Sequence, residues 1–223
     1  MKILVTGACG GIGRALAEHL DGAGHDLLLL DIDPLALEKL DDELAGNHTL
    51  VPFNLWSAGA DDYLRLARLI EEDHGHLDAL IHVAAYCGNL RPIVQIEPEN
   101  WLKALQTNVT APLWLSQTLL PLLRAGEGRI LFTRFPDHTR QSAYWHGFGV
   151  SQAALDALVQ ALYDERGGYP EIGIATVSPP WVDTHLSRTI FPDGQPDWRY
   201  PEDIVHLYTQ ALAAPKNQLT DYL

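Results

Sequence analysis

Cysteine is scarce. The 223 residues contain two, Cys9 and Cys87, too few for a disulfide framework and without zinc-type spacing. That usage suits a reducing compartment, so a cytoplasmic location is expected. Positive charge is also short: 15 Lys and Arg stand against 29 Asp and Glu, a formal net charge of −14. This balance argues against nucleic acid or an anionic membrane as partner. No apolar run approaches the roughly 20 residues of a membrane span. The first residues are expected to enter a strand at once, so no signal peptide is expected. Repeats, linkers and compositional breaks are missing, so a single domain over residues 1–223 is expected. Lysine is rare enough to name in full: Lys2, Lys39, Lys103 and Lys216.

What is present is concentrated at the start. Ile3-Leu4-Val5 is apolar without alternation, as in a strand buried on both faces. Thr6-Gly7-Ala8-Cys9-Gly10-Gly11-Ile12-Gly13 follows, and its glycines mark a turn where backbone approaches something closely. Ile12, Leu16 and Leu20 then recur at helical spacing. Strand, glycine turn and helix outline an anion site, because free N–H groups and the positive helix end both point at the turn. Residues 26–31 read as a second buried strand that ends in Asp31. The distance of that acid from the glycines fits a carboxylate that accepts from an adenosine ribose.

Further along, helices are expected over 34–44, 61–74, 97–123, 148–166 and 201–213, and strands over 50–54, 77–85, 129–133 and 172–177. The helix at 97–123 is expected to bend or break around Pro112 and Pro121. A polar stretch, 183–200, precedes the last helix, and its part from 184 to 200 is expected to form a short lid over the cleft. Alternating strands and helices predict an α/β fold: a Rossmann-type, doubly wound parallel sheet in three layers.

Together these residues resemble the short-chain dehydrogenase/reductase family over nearly the whole chain. Thr6 to Gly13 matches the family's Thr-Gly-x-x-x-Gly-x-Gly cofactor loop, and Asp31 its acid after the second strand, the type that implies NAD rather than NADP. Asn54 stands where the family often has an adenine-contacting Asp. Thr107-Asn108-Val109 matches the family's Asn; Ser151, Ala153, Ala154 and Leu155 match the helix Tyr-x-x-Ser-Lys-Ala-Ala-Leu. Residues 179–184 are similar to its Pro-Gly-x-Val-x-Thr loop. The resemblance implies cofactor contacts at Gly7, Cys9, Gly10, Gly11, Ile12, Gly13, Asp31, Ile32, Asn54, Leu55, Ala84, Ala85 and Pro179, with no metal. It also implies a homodimer or homotetramer paired through the two helices 97–123 and 148–166, or pairing with an active family member.

The departures fall at the family's catalytic positions. Phe148 replaces the Tyr, Gln152 the Lys and Phe135 the Ser; only Asn108 matches. His82-Val83-Ala84-Ala85 replaces Asn-Asn-Ala-Gly and is similar to the stretch in the family's extended, sugar-nucleotide branch. Carbonyl reduction needs a proton for the new alkoxide, which the Tyr supplies with its pKa lowered by the ammonium. Phe148 has no such proton and Gln152 no charge. The expectation is an NAD-binding protein impaired in standard carbonyl reduction, a sensor or a partner subunit. The alternative is an active oxidoreductase, or a non-redox enzyme, with an acid relocated to Tyr144 or His146; His138 lies in the same loop, and histidine titrates near neutral pH. His82 is read either as a cofactor contact or as a structural histidine, Arg134 either as an anion ligand or as a surface residue. Trp181 and Tyr86 are expected at the cleft mouth.

Overall fold

A computed structural model describes residues 1–135 and 142–223. Its strands are β1 (Lys2–Thr6), β2 (Asp26–Asp31), β3 (Thr49–Pro52), β4 (Ala79–His82), β5 (Arg129–Thr133), β6 (Gly173–Val177) and β7 (Thr220–Tyr222). All pair in parallel, in the order β3-β2-β1-β4-β5-β6-β7. The order reverses between β1 and β4, which opens a crevice beyond the carboxyl ends of those strands.

The apolar runs alternate between two cores. Ile3, Val5, Leu27 and Leu29 face α1 (Gly11–Gly22), α2 (Pro34–Glu43) and α8 (Pro201–Ala213). Leu4, Leu28, Leu30 and Leu80 face α3 (Ala60–His74), α5 (Ala111–Ala125) and α6 (His146–Glu165). Strands with both faces covered need apolar residues at every position, which is why they show no period of two.

The structure departs from expectation at four places. The helix expected over 97–123 is α4 (Pro98–Leu105), one π turn over Gln106–Thr110, and α5. The break thus precedes Pro112, which sits in the first turn of α5, while Pro121 is carried inside that helix. A π turn inserts one residue and rotates the side chains it carries; here those include Asn108. The strand expected over 77–85 pairs only at 79–82, after which the backbone N–H groups of Val83 and Ala84 donate to Thr6 Oγ1, 3.1 and 3.2 Å away. The polar stretch contains a short helix, α7 (His185–Ile190). The seventh strand, β7, pairs on one side only, with β6.

Candidate functional site

β1 delivers the chain to Gly7, whose φ of +68° lies in the left-handed region that glycine tolerates. A Cβ there would lie 2.8 Å from Ala84 Cα, and one at Gly13 would collide with the Gly7 carbonyl oxygen. Gly10 N donates to Gly7 O at 3.0 Å, closing the turn. Gly10 also caps α1 and offers no side chain to the first helical N–H groups, which are left for an anion.

Asp31 stands at the end of β2 with its carboxylate fixed by backbone. Oδ2 accepts from Cys9 N at 2.9 Å and Oδ1 from Ile32 N at 2.7 Å. Asp33 caps α2 through Leu35 N and Ala36 N. The nearest cation in the sequence after the glycine loop, Arg14, is held by Glu18 and Glu43. Burial, with Asp31 and Asp33 nearby, pushes the Cys9 thiol up to about 12; burial does the same to Cys87. Both shifts favour the thiol over the nucleophilic thiolate.

A cavity of about 810 Å³ runs along the carboxyl ends of the strands. Every residue that the sequence assigns to cofactor contact lines it, from Gly7 through Asp31, Asn54, Ala84 and Ala85 to Pro179. Trp181 and Tyr86 line it as expected, and so do Thr184 to Ser187 at the start of α7. A Cβ at Gly11 would lie 2.7 Å from the Thr184 methyl, so this segment rests on the glycine turn. Glycines that close the turn, open helical N–H groups and a fixed ribose-distance carboxylate fit a nicotinamide dinucleotide.

The other end of the cavity is aromatic. Phe135 reaches the wall and meets Phe148 edge-on, with ring centroids 4.7 Å apart. Phe148 and Gln152 are 1 and 2 % exposed and do not reach the cavity. Gln152 spends its Oε1 on Phe135 N at 3.1 Å. Trp145 packs 5.9 Å from Phe148 and 6.1 Å from Trp181, and Trp181 stacks on Trp198 at 5.6 Å and 13°. Asn108 lies behind this wall as a clamp. Its Oδ1 accepts from Tyr86 N, and its Nδ2 donates to Tyr86 O and Ser151 Oγ, all within 2.9 Å.

The remaining candidates are resolved by their partners. His82 bonds Ser116 Oγ at 3.2 Å and stacks on Phe132, and complete burial pushes its pKa down to about 3. It is a structural histidine. Arg134 pairs with Asp156 at 2.6 Å and Asp221 at 3.2 Å, so its charge is already matched. Tyr144 and His146 line a separate cavity of about 30 Å³, not the main one, and His146 Nε2 bonds Arg91 O. Tyr144 is exposed and has a φ of +76°. His138 lies outside the described residues.

The groups on the cavity wall that the sequence reading did not place there include Lys103 and Thr107, on one face of α4 and the π turn, and His185 in α7. Their only signal was the helical spacing of the first two.

The short chain dehydrogenase family model matches residues 1–195. An Escherichia coli protein, the uncharacterized oxidoreductase YciK, is 28 % identical over 212 residues, covering 92 % of this chain and 83 % of that protein. A short chain dehydrogenase structure from Pseudomonas syringae superposes with a TM-score of 0.91 at 31 % identity, covering 100 % of this chain and 94 % of that one. Another from Shigella flexneri, solved with NADP, gives 0.90 at 26 % identity and covers 99 % and 95 %.

Proposed function

The chain belongs to the short-chain dehydrogenase family, and from that premise we propose that it binds NAD in preference to NADP and does not carry out the family's standard carbonyl reduction. The carrying observation is the aromatic wall. When bound, a nicotinamide supplies or accepts hydride, and the protein must exchange a proton with the substrate oxygen. Phe135, the one family catalytic position on the wall, and Phe148, buried behind it, have no proton to exchange. Gln152, in place of the lysine, turns its oxygen to Phe135 N. The role that fits is a dinucleotide-responsive sensor or a non-catalytic partner subunit.

The preference for NAD rests on Asp31. Its carboxylate repels a 2′-phosphate, Ile32 and Asp33 add no positive charge, and Arg14 is held by two glutamates. A relative solved with NADP is 26 % identical, so the preference rests on this chain's own Asp31. The segment 184–200 acts as the lid, with α7 touching the glycine turn. Exposed apolar residues on α4, α5 and α6 (Leu102, Leu113 and Val150) support pairing of two copies through those helices. A monomer mass in light scattering at micromolar concentration would refute the pairing.

Calorimetry with NADH and NADPH, followed by a panel of aldehydes and ketones, tests the reading. The expected result is NADH binding without turnover, with turnover gained in Phe135→Ser/Phe148→Tyr/Gln152→Lys. Tighter NADPH binding, or robust turnover by the parent protein, would refute it. Among the described residues no helix is long and apolar enough to cross a membrane.

A further inference from the structure

The β3 end of the cleft carries hydrogen-bond donors. On the dinucleotide reading, the phosphates lie at the glycine turn after β1 and the ribose at Asp31 after β2. The sheet continues outward to β3, so the base lies against the loop after β3 and the facing helix α4. The polar side chains that line the cavity there include Asn54, Lys103 and Thr107, with Asn100 one turn before Lys103 and accepting from the Tyr86 hydroxyl.

Asn54 turns its oxygen into its own loop. Oδ1 accepts from Trp56 N at 3.1 Å and Ser57 N at 3.3 Å, which uses both lone pairs. Because both partners are N–H groups, the orientation of the amide follows from its surroundings. The part left for a ligand is Nδ2, a donor. Lys103 Nζ stands 4.5 Å from the Tyr86 ring centroid and 6.0 Å from that of Trp56, and no ion pair holds it among the described residues. Thr107 is buried, and among the described residues its Oγ1 has no hydrogen-bond partner. An orphaned buried hydroxyl on a cavity wall is satisfied when a ligand arrives.

We propose that this corner selects a purine by its acceptor edge, favouring a 6-oxopurine dinucleotide over the 6-amino form. The inference rests on the dinucleotide reading above. Adenine presents an acceptor at N7 and a donor amino group at C6, whereas a 6-oxopurine presents acceptors at both O6 and N7. Against Asn54 Nδ2 and the Lys103 ammonium, an adenine amino group meets donors and leaves water without a new partner. A carbonyl at C6 accepts from them instead, and the bond to an ammonium is charge-assisted. The two aromatic faces hold the ammonium without competing for it as a carboxylate would.

The test titrates the full-length protein with NADH and with reduced nicotinamide hypoxanthine dinucleotide, followed by nicotinamide fluorescence. The hypoxanthine form is expected to bind about three- to tenfold tighter, the range of one hydrogen bond gained. Asn54→Asp returns an acceptor, still caps the loop, and is expected to reverse the preference. Lys103→Gln is expected to narrow it. Equal or tighter binding of NADH by the parent overturns the proposal, as does an unchanged preference in Asn54→Asp. Those outcomes leave the dinucleotide reading standing. If neither compound binds, that reading fails and the proposal with it.

Discussion

At the β1–β2 end of the cleft the wall is mostly backbone: the Gly7 turn, the open N–H groups of α1, and a carboxylate tied down by Cys9 N and Ile32 N. At the β5–α6 end the wall is side chain: Phe135 on Phe148, then Trp145, Trp181 and Trp198. The two ends answer differently to sequence change. Backbone donors survive almost any substitution that keeps the glycines, because no side chain makes them. A proton relay is made only of side chains, so three substitutions suffice to remove one. The same fold can therefore keep a binding end while its chemical end turns apolar.

The contrast can be broken most severely at the backbone end. Gly13→Ala places a methyl into the Gly7 carbonyl, which no side-chain rotation relieves. A loss of about 3 kcal/mol or more is expected, and NADH binding should vanish with it. Thermal melting with a parallel titration measures both. A folded variant that binds NADH normally would show that the turn is not built as described.

Next in size is Asn108, which belongs to neither wall but fixes the loop between them. Asn108→Ala leaves Tyr86 N–H, Tyr86 C=O and Ser151 Oγ each short of a partner. The expected cost is about 3 kcal/mol, read as a lower melting temperature. Asn108→Asp keeps the acceptor for Tyr86 N but sets an oxygen against Tyr86 O in a buried site, so it should lose at least as much as the alanine variant. A clearly smaller loss in Asn108→Asp would show that the Nδ2 bonds contribute little.

His82 sharpens the comparison through pH. Its pKa falls from 6.5 to about 3 in the fold because burial penalises the charged ring. A histidine held neutral binds fewer protons folded than unfolded between those values. Its contribution is therefore intact above pH 6.5 and is lost as pH falls toward 3. Each unit below 6.5 costs about 1.4 kcal/mol, so about 2 kcal/mol is expected between pH 6.5 and 5. His82→Gln, whose amide can either donate to or accept from Ser116, should flatten the melting-temperature profile over that range. A parallel profile would assign the loss to other residues.

The two ends also differed in how readable they were. The glycine turn and Asp31 are local in sequence, so their spacing carried their geometry, and all the residues expected to contact cofactor line one cavity. The π turn over Gln106–Thr110 was hidden beside Pro112: the sequence points to a proline break, but the backbone stays helical through Thr110 and Ala111 and only the ladder shifts. β7 has no apolar run to announce it. Asp221 instead binds Thr176 and Ser178 across the edge, a contact between segments 45 residues apart. Lys103 was visible as one of four lysines, but only the fold shows two aromatic rings beside it.

The smallest expected effect concerns Tyr144 and His146, the candidates for a relocated acid. Both line the minor cavity, and His146 is tied to the Arg91 carbonyl, so neither reaches the wall that a substrate would meet. Tyr144→Phe removes an exposed hydroxyl and should change stability by less than about 0.5 kcal/mol. His146→Ala gives up one bond to a loop carbonyl, with an expected cost of about 1 kcal/mol. Dinucleotide affinity should stay within about twofold in both, since about 0.4 kcal/mol separates affinities by that ratio. The decisive comparison is made in the background that regains turnover through Phe135→Ser/Phe148→Tyr/Gln152→Lys. If the restored hydroxyl at position 148 is the proton donor, adding Tyr144→Phe or His146→Ala leaves the rate alone. A fall of about a hundredfold, the size of a lost general acid, would place the chemistry at the minor cavity and join the two ends that the aromatic wall separates.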